Sequence, residues 1–192
     1  SEAGLVLGSS GNSSAGSRDA KAAYFELLLP FSSSFDVTLA GRFDSYSDYG
    51  NDFSPKIAMR WQPLENLTLR GSYGQGFRAP GLDILTQKTT FSAEPANCQL
   101  QVDTFFQANP ELESEQSTQF SVGAVWDPLE WLDFSVDYYA IEVENTINQI
   151  TPQAIINSDL DPATYGPIPP GMSITRRANG AIDQIVAGYA NQ

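Results

Sequence analysis

The most restrictive feature of this chain is a stretch with strict two-residue alternation. Within WQPLENLTLRGSYGQGFRAPGL, residues 61–82, a tight-turn signature at 62–66 precedes an alternating stretch, 67–78, which breaks at Ala79-Pro80-Gly81. In that stretch, side chains of one parity are mostly apolar, and those of the other parity are polar or glycine. The first set is Leu67, Leu69, Gly71, Tyr73, Gln75 and Phe77, and the second is Thr68, Arg70, Ser72, Gly74, Gly76 and Arg78. Successive side chains of a β-strand point to opposite faces of the sheet. The stretch is therefore predicted to be a strand with a different environment on each side.

A short turn motif introduces this strand and recurs later in the chain. Residues 61–67 (WQPLENL) match residues 126–132 (WDPLEWL) at five of seven positions. Similar alternation predicts further strands near 21–29, 35–46, 53–62, 116–126 and 132–147. A last pair is predicted near 173–177 and 180–189, where Asn179-Gly180 suits a tight hairpin turn. The sequence thus predicts an all-β chain, an antiparallel meander of about six to eight strands.

The predicted connections differ in length at the two ends of this sheet. Short turns at 31–34, 62–66 and 127–131 fall at one end. The other end has long segments, 79–113 and 148–173, together with one short connection, 47–52, and a Ser/Gly-rich loop at 1–17. Outer-membrane barrels combine short turns on one side with long loops on the other, so this asymmetry favours lipid on the apolar face. Alternation alone fits equally well with a soluble sheet that packs on a core.

Composition excludes several classes of function. The formal net charge is -13 and there is no histidine, which argues against nucleic-acid binding and against zinc, haem and imidazole-base chemistry. Cys98 is the only cysteine, so no disulfide forms within the chain. No apolar run approaches the ~18 residues of a membrane-spanning helix. The first residues lack a signal peptide, so we expect either a cytosolic chain or the internal part of an exported precursor.

Two groups of acids suggest chemistry, but neither pattern is specific. Asp44, Asp48 and Asp52 surround a compact turn, yet their spacing is not that of an EF-hand calcium loop, and a solvated hairpin turn is favoured. The acids of residues 109–115 (NPELESE) resemble a pair for general acid–base work, yet no partner residue supports that role. The sequence therefore predicts no catalytic residue, no resident cofactor and no metal ligand, and a carboxylate hydrolase is poorly supported.

Several motifs resemble those of the TonB-dependent outer-membrane receptors. SYGQGFRAPGL at 72–82 resembles their Y-x-x-G-F-R-A-P-x-L element, and NPELESE at 109–115 resembles the N-P-x-L-x-x-E that follows it. FSVGAVW at 120–126 and FSVDYYAIEVENTI at 134–147 are similar to the next two strands of the family. ITR at 174–176 before GAI at 180–182 fits as well. The motifs occur in the family's order and cover nearly the whole chain after Arg18.

The resemblance implies a bacterial outer-membrane location and a large barrel of ~22 strands with a plugged lumen. It also implies active uptake of a scarce ligand, such as a metal–siderophore complex, cobalamin or a carbohydrate. Implied partners are outer-membrane lipid, the receptor's own plug domain and, through it, TonB; an enzyme is not implied. The chain shows no plug domain, TonB-contacting box or terminal aromatic strand, so we expect an interior piece of the barrel that does not transport alone. Family loops often carry paired cysteines, for which Cys98 has no partner here.

The resemblance also assigns roles to side chains. Those expected to face lipid are Phe25, Leu27, Val37, Leu39, Phe43, Ile57, Met59, Leu69, Tyr73, Phe120, Val122, Phe134 and Val136, with Trp61 and Trp126 in an interfacial aromatic girdle. Those expected to line the lumen and contact the plug are Arg42, Arg60, Arg70, Asp133 and Asp137. Ligand-binding candidates at the long loops 79–113 and 148–173 are Arg78, Gln87, Lys88, Gln99, Gln101 and Tyr165.

One alternative from another class stays open at this point. A soluble all-β module that binds a ligand or a carbohydrate, such as a lectin-like sandwich, explains the alternation and the acidity. It explains the asymmetry of the connections and the ordered motif series less well.

Overall fold

The structure is a computed structural model that describes residues 14–96 and 100–192. The chain divides into two compact units. We call residues 18–79 and 114–146 the sheet unit, and residues 1–17, 80–113 and 147–192 the loop unit. Cys98 and the predicted ligand residue Gln99 lie outside the described residues.

The described residues form twelve strands and three short helices, numbered in chain order. The strands are β1 (Ala20–Ser32), β2 (Phe35–Tyr46), β3 (Gly50–Leu64), β4 (Leu67–Arg78), β5 (Thr90–Ala96), β6 (Leu100–Phe106), β7 (Glu115–Leu129), β8 (Leu132–Glu144), β9 (Ile147–Gln149), β10 (Ser173–Arg176), β11 (Ile182–Ala187) and β12 (Tyr189–Asn191). The helices are α1 (Leu82–Thr86), α2 (Pro152–Leu160) and α3 (Pro162–Tyr165). In this part of the chain no helix is long and apolar enough to cross a membrane.

The sheet unit is one antiparallel meander with the strand order β1-β2-β3-β4-β7-β8. The predicted meander is thus confirmed, and β2 and β4 have the bounds that alternation predicted, 35–46 and 67–78. The register keeps the two faces separate across all six strands. For example, Met59 lies opposite Gly71 and Gly71 opposite Val122 on the apolar face, one residue away from rows of polar side chains.

The apolar face of the sheet unit is exposed along its length. Ile57, Met59, Tyr73, Phe120 and Val122 are each between 44% and 52% exposed. The buried hydrophobic side chains of the described residues belong to the loop unit: Leu85, Val102, Leu112, Ile150, Ile155, Ile156, Ile185 and Ala187. A soluble sandwich buries one face of each sheet on a core. This face has no such core among the described residues, which argues against the soluble alternative.

Aromatic side chains concentrate at the short-turn end of the apolar face. Phe35 lies directly opposite Trp61, and the rings of Trp126 and Phe134 are stacked at 6.0 Å between centroids. Phe31 joins them, 5.7 Å from Phe35. Rings at this level of an outward face are typical of the girdle that barrels place at the edge of the hydrocarbon layer.

The short turns are tighter than the sequence indicated. Each has only two residues outside the strands, at 33–34, 65–66 and 130–131, because the strands continue through the predicted turn segments. In each hairpin the register shifts beside a proline, at Pro30, Pro63 or Pro128. Proline has no N–H for the ladder, and a bulge absorbs that loss.

The predicted extension of the sixth strand to residue 147 is wrong. β8 ends at Glu144, and Asn145 takes a left-handed backbone conformation with φ 58°. Its side-chain Nδ2 donates to the carbonyl of Ser114 at 3.1 Å. Asparagine tolerates this conformation better than most residues, so the chain turns here. Ile147 then begins β9, which pairs with β12 instead of β7.

The loop unit contains regular structure that the weak periodicity of 79–113 and 148–173 did not indicate. It has a four-stranded sheet with the order β10-β11-β6-β5 and a two-stranded ladder of β12 and β9. β11 and β6 are parallel. Its core is a cluster of Val102, Ile150, Ile155, Ile156, Ile185 and Ala187.

The predicted last hairpin is present as β10 and β11. Its turn is longer than an Asn-Gly turn: the N–H of Gly180 donates to the carbonyl of Arg177, and that of Arg177 donates to the carbonyl of Ala181. Gly180 has φ +83°, and the ladder shifts register beside Arg176. A three-residue loop with a left-handed glycine at its end produces such a bulge.

Candidate functional site

An ion pair joins two of the sequence motifs. Arg78 ends β4 and lies directly opposite Glu115, which begins β7. The Nε of Arg78 is 2.7 Å from Oε2 of Glu115, and its Nη2 is 3.0 Å from Oε1. The Glu115 side chain is 10% exposed, whereas that of Arg78 is 73% exposed. The GFRAP arginine therefore satisfies the buried carboxylate of the N-P-x-L-x-x-E element and keeps part of its guanidinium accessible.

Asn109, the first residue of the N-P-x-L-x-x-E motif, forms hydrogen bonds that hold the neighbouring chain in place. The Oδ1 of Asn109 accepts the N–H of Glu111 at 3.0 Å, which is an Asx turn. Its Nδ2 donates to the carbonyl of Tyr189 at 2.9 Å. The Asn191 side chain is bonded to the N–H and the carbonyl of Glu113, both at 3.0 Å. With Leu112 buried, this segment is fixed against β12.

Two helices with capped N-termini, α2 and α3, lie next to this segment in the loop unit. Thr151 precedes α2, and its hydroxyl accepts the N–H of Ala154 at 3.2 Å. Asp161 precedes α3, and its carboxylate accepts the N–H of Thr164 at 3.2 Å. Hydrogen bonds from the side chain and the backbone of Thr164 lower the pKa of Asp161 below its ordinary value. Each helix starts with proline, which has the backbone angle required at a first helical position.

A cleft of about 430 Å³ lies between these segments of the loop unit. Its lining combines amide, hydroxyl, aromatic and proline groups: Asn109, Glu111, Ile150, Ala154, Asn157, Ser158, Tyr165, Pro167, Pro169, Pro170, Ala190, Asn191 and Gln192. A smaller cleft of about 280 Å³ shares Asn109, Glu111 and Pro170 with it. The lining suits a ligand that offers carbonyl and hydroxyl groups together with flat apolar faces.

The structure brings one predicted ligand residue to this cleft, Tyr165, which is 61% exposed. Gln87 follows α1 and donates its N–H to the carbonyl of Asp83 at 2.8 Å, and Lys88 is exposed beside it. Gln101 lies on β6 opposite Pro95. Thr90 and Pro95 are five residues apart on β5, about 17 Å, so Gln101 is at the far end of that hairpin from Gln87. These side chains do not converge on one point.

The cleft contains several residues that are not among the predicted ligand residues. Asn157 and Ser158 lie on α2, and the prolines 167, 169 and 170 form part of its wall. The proline run and the N-P-x-L motif were visible in the sequence. Their convergence depends on packing between distant segments, which no local pattern indicates.

Several charged residues on the polar face of the sheet unit form ion pairs. The Nε of Arg70 is 2.9 Å from Oδ1 of Asp137, and Nη2 of Arg70 is 2.6 Å from its Oδ2. Arg60 contacts Asp36 at 3.2 Å. Arg42 contacts Asp44 at 2.8 Å. Asp133 is exposed near the short turn of β7 and β8. Four of the five predicted lumen residues are thus ion-paired, and two of the pairs, Arg60–Asp36 and Arg70–Asp137, join different strands.

The three acids around residues 49–51 have separate partners. Asp44 binds Arg42, and Asp48 binds Arg18 at 2.7 Å. Asp52 accepts hydrogen bonds from Tyr49 at 2.8 Å, Ser114 at 3.0 Å and Gln116 at 2.8 Å. Burial and the Asp52 carboxylate raise the pKa of Tyr49. Within the described residues no group of three acids or other metal ligands converges, so nothing here supports calcium.

Comparison with protein families gives a match over most of the chain. A family model described as "TonB dependent receptor-like, beta-barrel" matches residues 2–178. A probable TonB-dependent siderophore receptor, PirA, from Acinetobacter baumannii is 28% identical over 103 residues, which are 53% of this chain and 14% of the relative. The iron-regulated outer membrane virulence protein of Vibrio cholerae serotype O1 is 27% identical over 145 residues, 76% of this chain and 20% of the relative.

Solved structures share the fold. The siderophore receptor PirA from Acinetobacter baumannii superposes with a TM-score of 0.67 at 20% identity, covering 91% of this chain and 24% of that one. A mutant of the ferric enterobactin receptor PfeA from Pseudomonas aeruginosa, solved with enterobactin, has a TM-score of 0.66 at 16% identity, covering 91% and 22%. The chain spans less than a quarter of the length of each of these relatives.

Proposed function

Since this chain belongs to the TonB-dependent receptor β-barrel family, we propose that the receptor containing it takes up a metal–siderophore complex across the bacterial outer membrane. Relatives that match 53% and 76% of the chain are named as a probable TonB-dependent siderophore receptor and an iron-regulated outer membrane virulence protein, and one structural neighbour is a ferric enterobactin receptor. Siderophore complexes are therefore favoured over cobalamin and carbohydrates. The metal is cargo in this proposal and is held by the siderophore.

The observation that carries the membrane role is the exposed apolar face of the sheet unit. From Phe35 to Phe43, β2 has nine residues whose outward members are all apolar or glycine. A tilted barrel strand needs about 9–11 residues to cross the hydrocarbon layer. The lipid-facing side chains are Phe25, Leu27, Val37, Leu39, Phe43, Ile57, Met59, Leu69, Tyr73, Phe120, Val122, Phe134 and Val136.

The opposite face is proposed to line the lumen. Arg42, Arg60, Arg70, Asp133 and Asp137 would face the receptor's plug domain, which receives energy from TonB. Most of these charges already have ion-pair partners: Arg60 on the neighbouring strand, Arg42 on its own strand, and Arg70 and Asp137 with each other across β7. The lumen-facing side of the sheet would therefore present ion pairs to the plug instead of isolated charges. Paired charges limit the desolvation cost of contact with the plug.

Ligand binding is proposed for segments 79–113 and 148–173, as outward loops. Tyr165 would stack against a flat group of the siderophore at the cleft of the loop unit, and Asn109 and Asn157 would supply amide donors. Arg78, Gln87, Lys88, Gln99 and Gln101 are the further candidates from the sequence. Arg78 and Lys88 are the cations of this group and suit an anionic complex.

The test is uptake and binding by the full-length receptor in cells that lack other siderophore receptors. Radiolabelled ferric enterobactin, a ferric hydroxamate, cobalamin and a maltodextrin form the panel. We expect uptake of an iron complex that stops when TonB is deleted. Uptake of cobalamin or maltodextrin alone, or TonB-independent uptake, would refute the proposal.

The role of Tyr165 is tested by Tyr165→Ala. Loss of a stacking partner worth about 1.4 kcal/mol raises the Kd about tenfold. Tyr138→Ala is the matched control, because Tyr138 is 62% exposed, against 61% for Tyr165, but lies on the apolar face of the sheet unit. Equal effects of the two substitutions on the Kd of the iron complex would remove Tyr165 from the site.

A further inference from the structure

The apolar face of the sheet unit has a depression centred on Gly71. This residue lies between Met59 on β3 and Val122 on β7. Because glycine has no side chain, a hollow of about 250 Å³ forms there, lined by Ile57, Met59, Gly71, Tyr73, Phe120 and Val122 among others. The side chains on this face of the hollow are apolar.

A second hollow continues the first along the strands. Its volume is about 530 Å³, and its walls include Met59, Trp61, Leu69, Val122, Ala124 and Val136. Met59 and Val122 line both hollows, which therefore adjoin, and we call the two together the apolar groove. It extends from the Ile57–Tyr73 pair to the Trp61–Leu69 pair, four residues along the strand or about 14 Å.

We propose that the apolar groove is a specific binding site for one acyl chain of a phospholipid in the periplasmic leaflet. The inference rests on the membrane placement given above. The groove is continuous with the lipid-facing surface, where a straight apolar chain is the group available to fill it. An empty groove would forfeit dispersion contacts along its walls.

The position of the groove selects the leaflet. One end of the groove is the row of Trp61 and Leu69, next to the turn at 65–66. Short turns of outer-membrane barrels face the periplasm. The aromatic rings of Phe35 and Trp61 at this end belong to the interfacial girdle, so an acyl chain in the groove would have its headgroup beside them.

Met59 is placed to adjust the width of the groove. A Cβ built on Gly71 would be 3.2 Å from the Cε of Met59, so the methionine side chain leans over the glycine. Methionine is unbranched and flexible, and its side chain can move aside when a ligand enters. The space above Gly71 is thus partly closed by a movable group.

The test is native mass spectrometry of the full-length receptor, titrated with phosphatidylethanolamine in detergent. Gly71→Leu fills the groove, and we expect it to lose one bound phospholipid and weaken that binding step at least tenfold. Ala23→Leu is the matched control, since Ala23 lies on the same face of β1, away from the groove. Gly71→Ala, which only crowds Met59, is expected to give an intermediate loss.

Several outcomes would overturn the proposal. These are unchanged binding in Gly71→Leu, an equal loss in Ala23→Leu, or saturation of the site by lipopolysaccharide in preference to phosphatidylethanolamine. Self-association of the wild-type receptor that Gly71→Leu abolishes would instead assign the groove to a second copy. Iron uptake by the same variants is measured separately. A failure of the lipid site is thereby distinguished from a failure of the siderophore proposal.

Discussion

Gly123 shows how a single residue sets the chemistry of the polar face. It lies on β7, directly between Arg70 on β4 and Asp137 on β8. A Cβ at this position would overlap the Asp137 carboxylate and come within 3.1 Å of Nε of Arg70. Because Gly123 has no side chain, Arg70 and Asp137 can form an ion pair across β7. Cross-strand pairs usually form between directly opposed residues of adjacent strands, where no such gap is needed. Ser72 and Ser121 follow in the next row on this face, with their hydroxyls 2.7 Å apart.

Gly123→Ala is expected to displace Asp137 and lower the thermal midpoint of the full-length receptor. Forcing a methyl group into this filled space costs about 1–3 kcal/mol. In an Asp137→Ala background the same change should be nearly neutral, because the overlapping carboxylate is gone. Gly74→Ala is the control, since its nearest neighbours are in ordinary contact at 3.5 Å. A drop in the Asp137→Ala background as large as in the wild type would show that backbone effects dominate.

At the scale of elements, the N-caps of α2 and α3 make the same hydrogen bond, from the N–H three residues on to a side-chain oxygen, but they differ in chemistry. Thr151 caps α2 with a hydroxyl, which does not titrate near neutral pH. Asp161 caps α3 with a carboxylate whose pKa is lowered by Thr164. A lowered pKa in the folded state stabilises the fold at pH values above the unfolded value of 3.8. That contribution disappears as the pH falls through the folded pKa.

Acidification should therefore weaken α3 selectively. Between pH 6 and pH 3, hydrogen exchange corrected for intrinsic rates should show a several-fold loss of protection around Thr164. Ala154 in α2 should change less, because the Thr151 hydroxyl keeps its hydrogen bond. Asp161→Asn should remove the difference, since asparagine caps as well as aspartate but does not titrate. An unchanged pH response in Asp161→Asn would assign the effect to another acid.

For the whole molecule, the main feature is an uncovered sheet. β1 and β8 are the edges of the meander, and each has one neighbour in the described chain. Backbone groups in a bilayer must all be paired, so within the membrane both edges require further strands. A strand edge with apolar side chains also pairs readily with other chains in water. The six strands are thus part of a larger barrel sheet. This agrees with the small fraction of each relative that the chain spans.

Residues 1–192 expressed alone are expected to aggregate or to require detergent. The reason is that the apolar face and both edges of the sheet unit stay exposed. Size exclusion without detergent, combined with circular dichroism, measures this directly. A sharp monomer peak with a cooperative β-rich melt would mean that the apolar face finds a core within the chain, and would restore the soluble module as an explanation.

The sequence by itself determined the meander, because alternation is a local property of a strand that separates two environments. β2 and β4 were bounded correctly by that pattern, and GFRAP and N-P-x-L-x-x-E indicated the family. Tyr165 was selected as a ligand-binding candidate by analogy with the family, and that role stays a prediction. The two-residue turns were not predicted because proline usually ends a strand. Here the bulges at Pro63 and Pro128 let the strands continue past these prolines.

Only the tertiary structure decided the rest, because the remaining elements are stabilised by contacts between distant segments. The loop unit is ordered by packing of Ile155 and Ile156 against Ile185, and by the parallel pairing of β11 with β6. Neither contact leaves a local period in the sequence. The ion pair of Arg78 with Glu115 and the gap at Gly123 likewise depend on register between strands that are far apart in the chain. Alternation fixes which face a side chain is on, but register fixes its neighbours, and those neighbours form the sites.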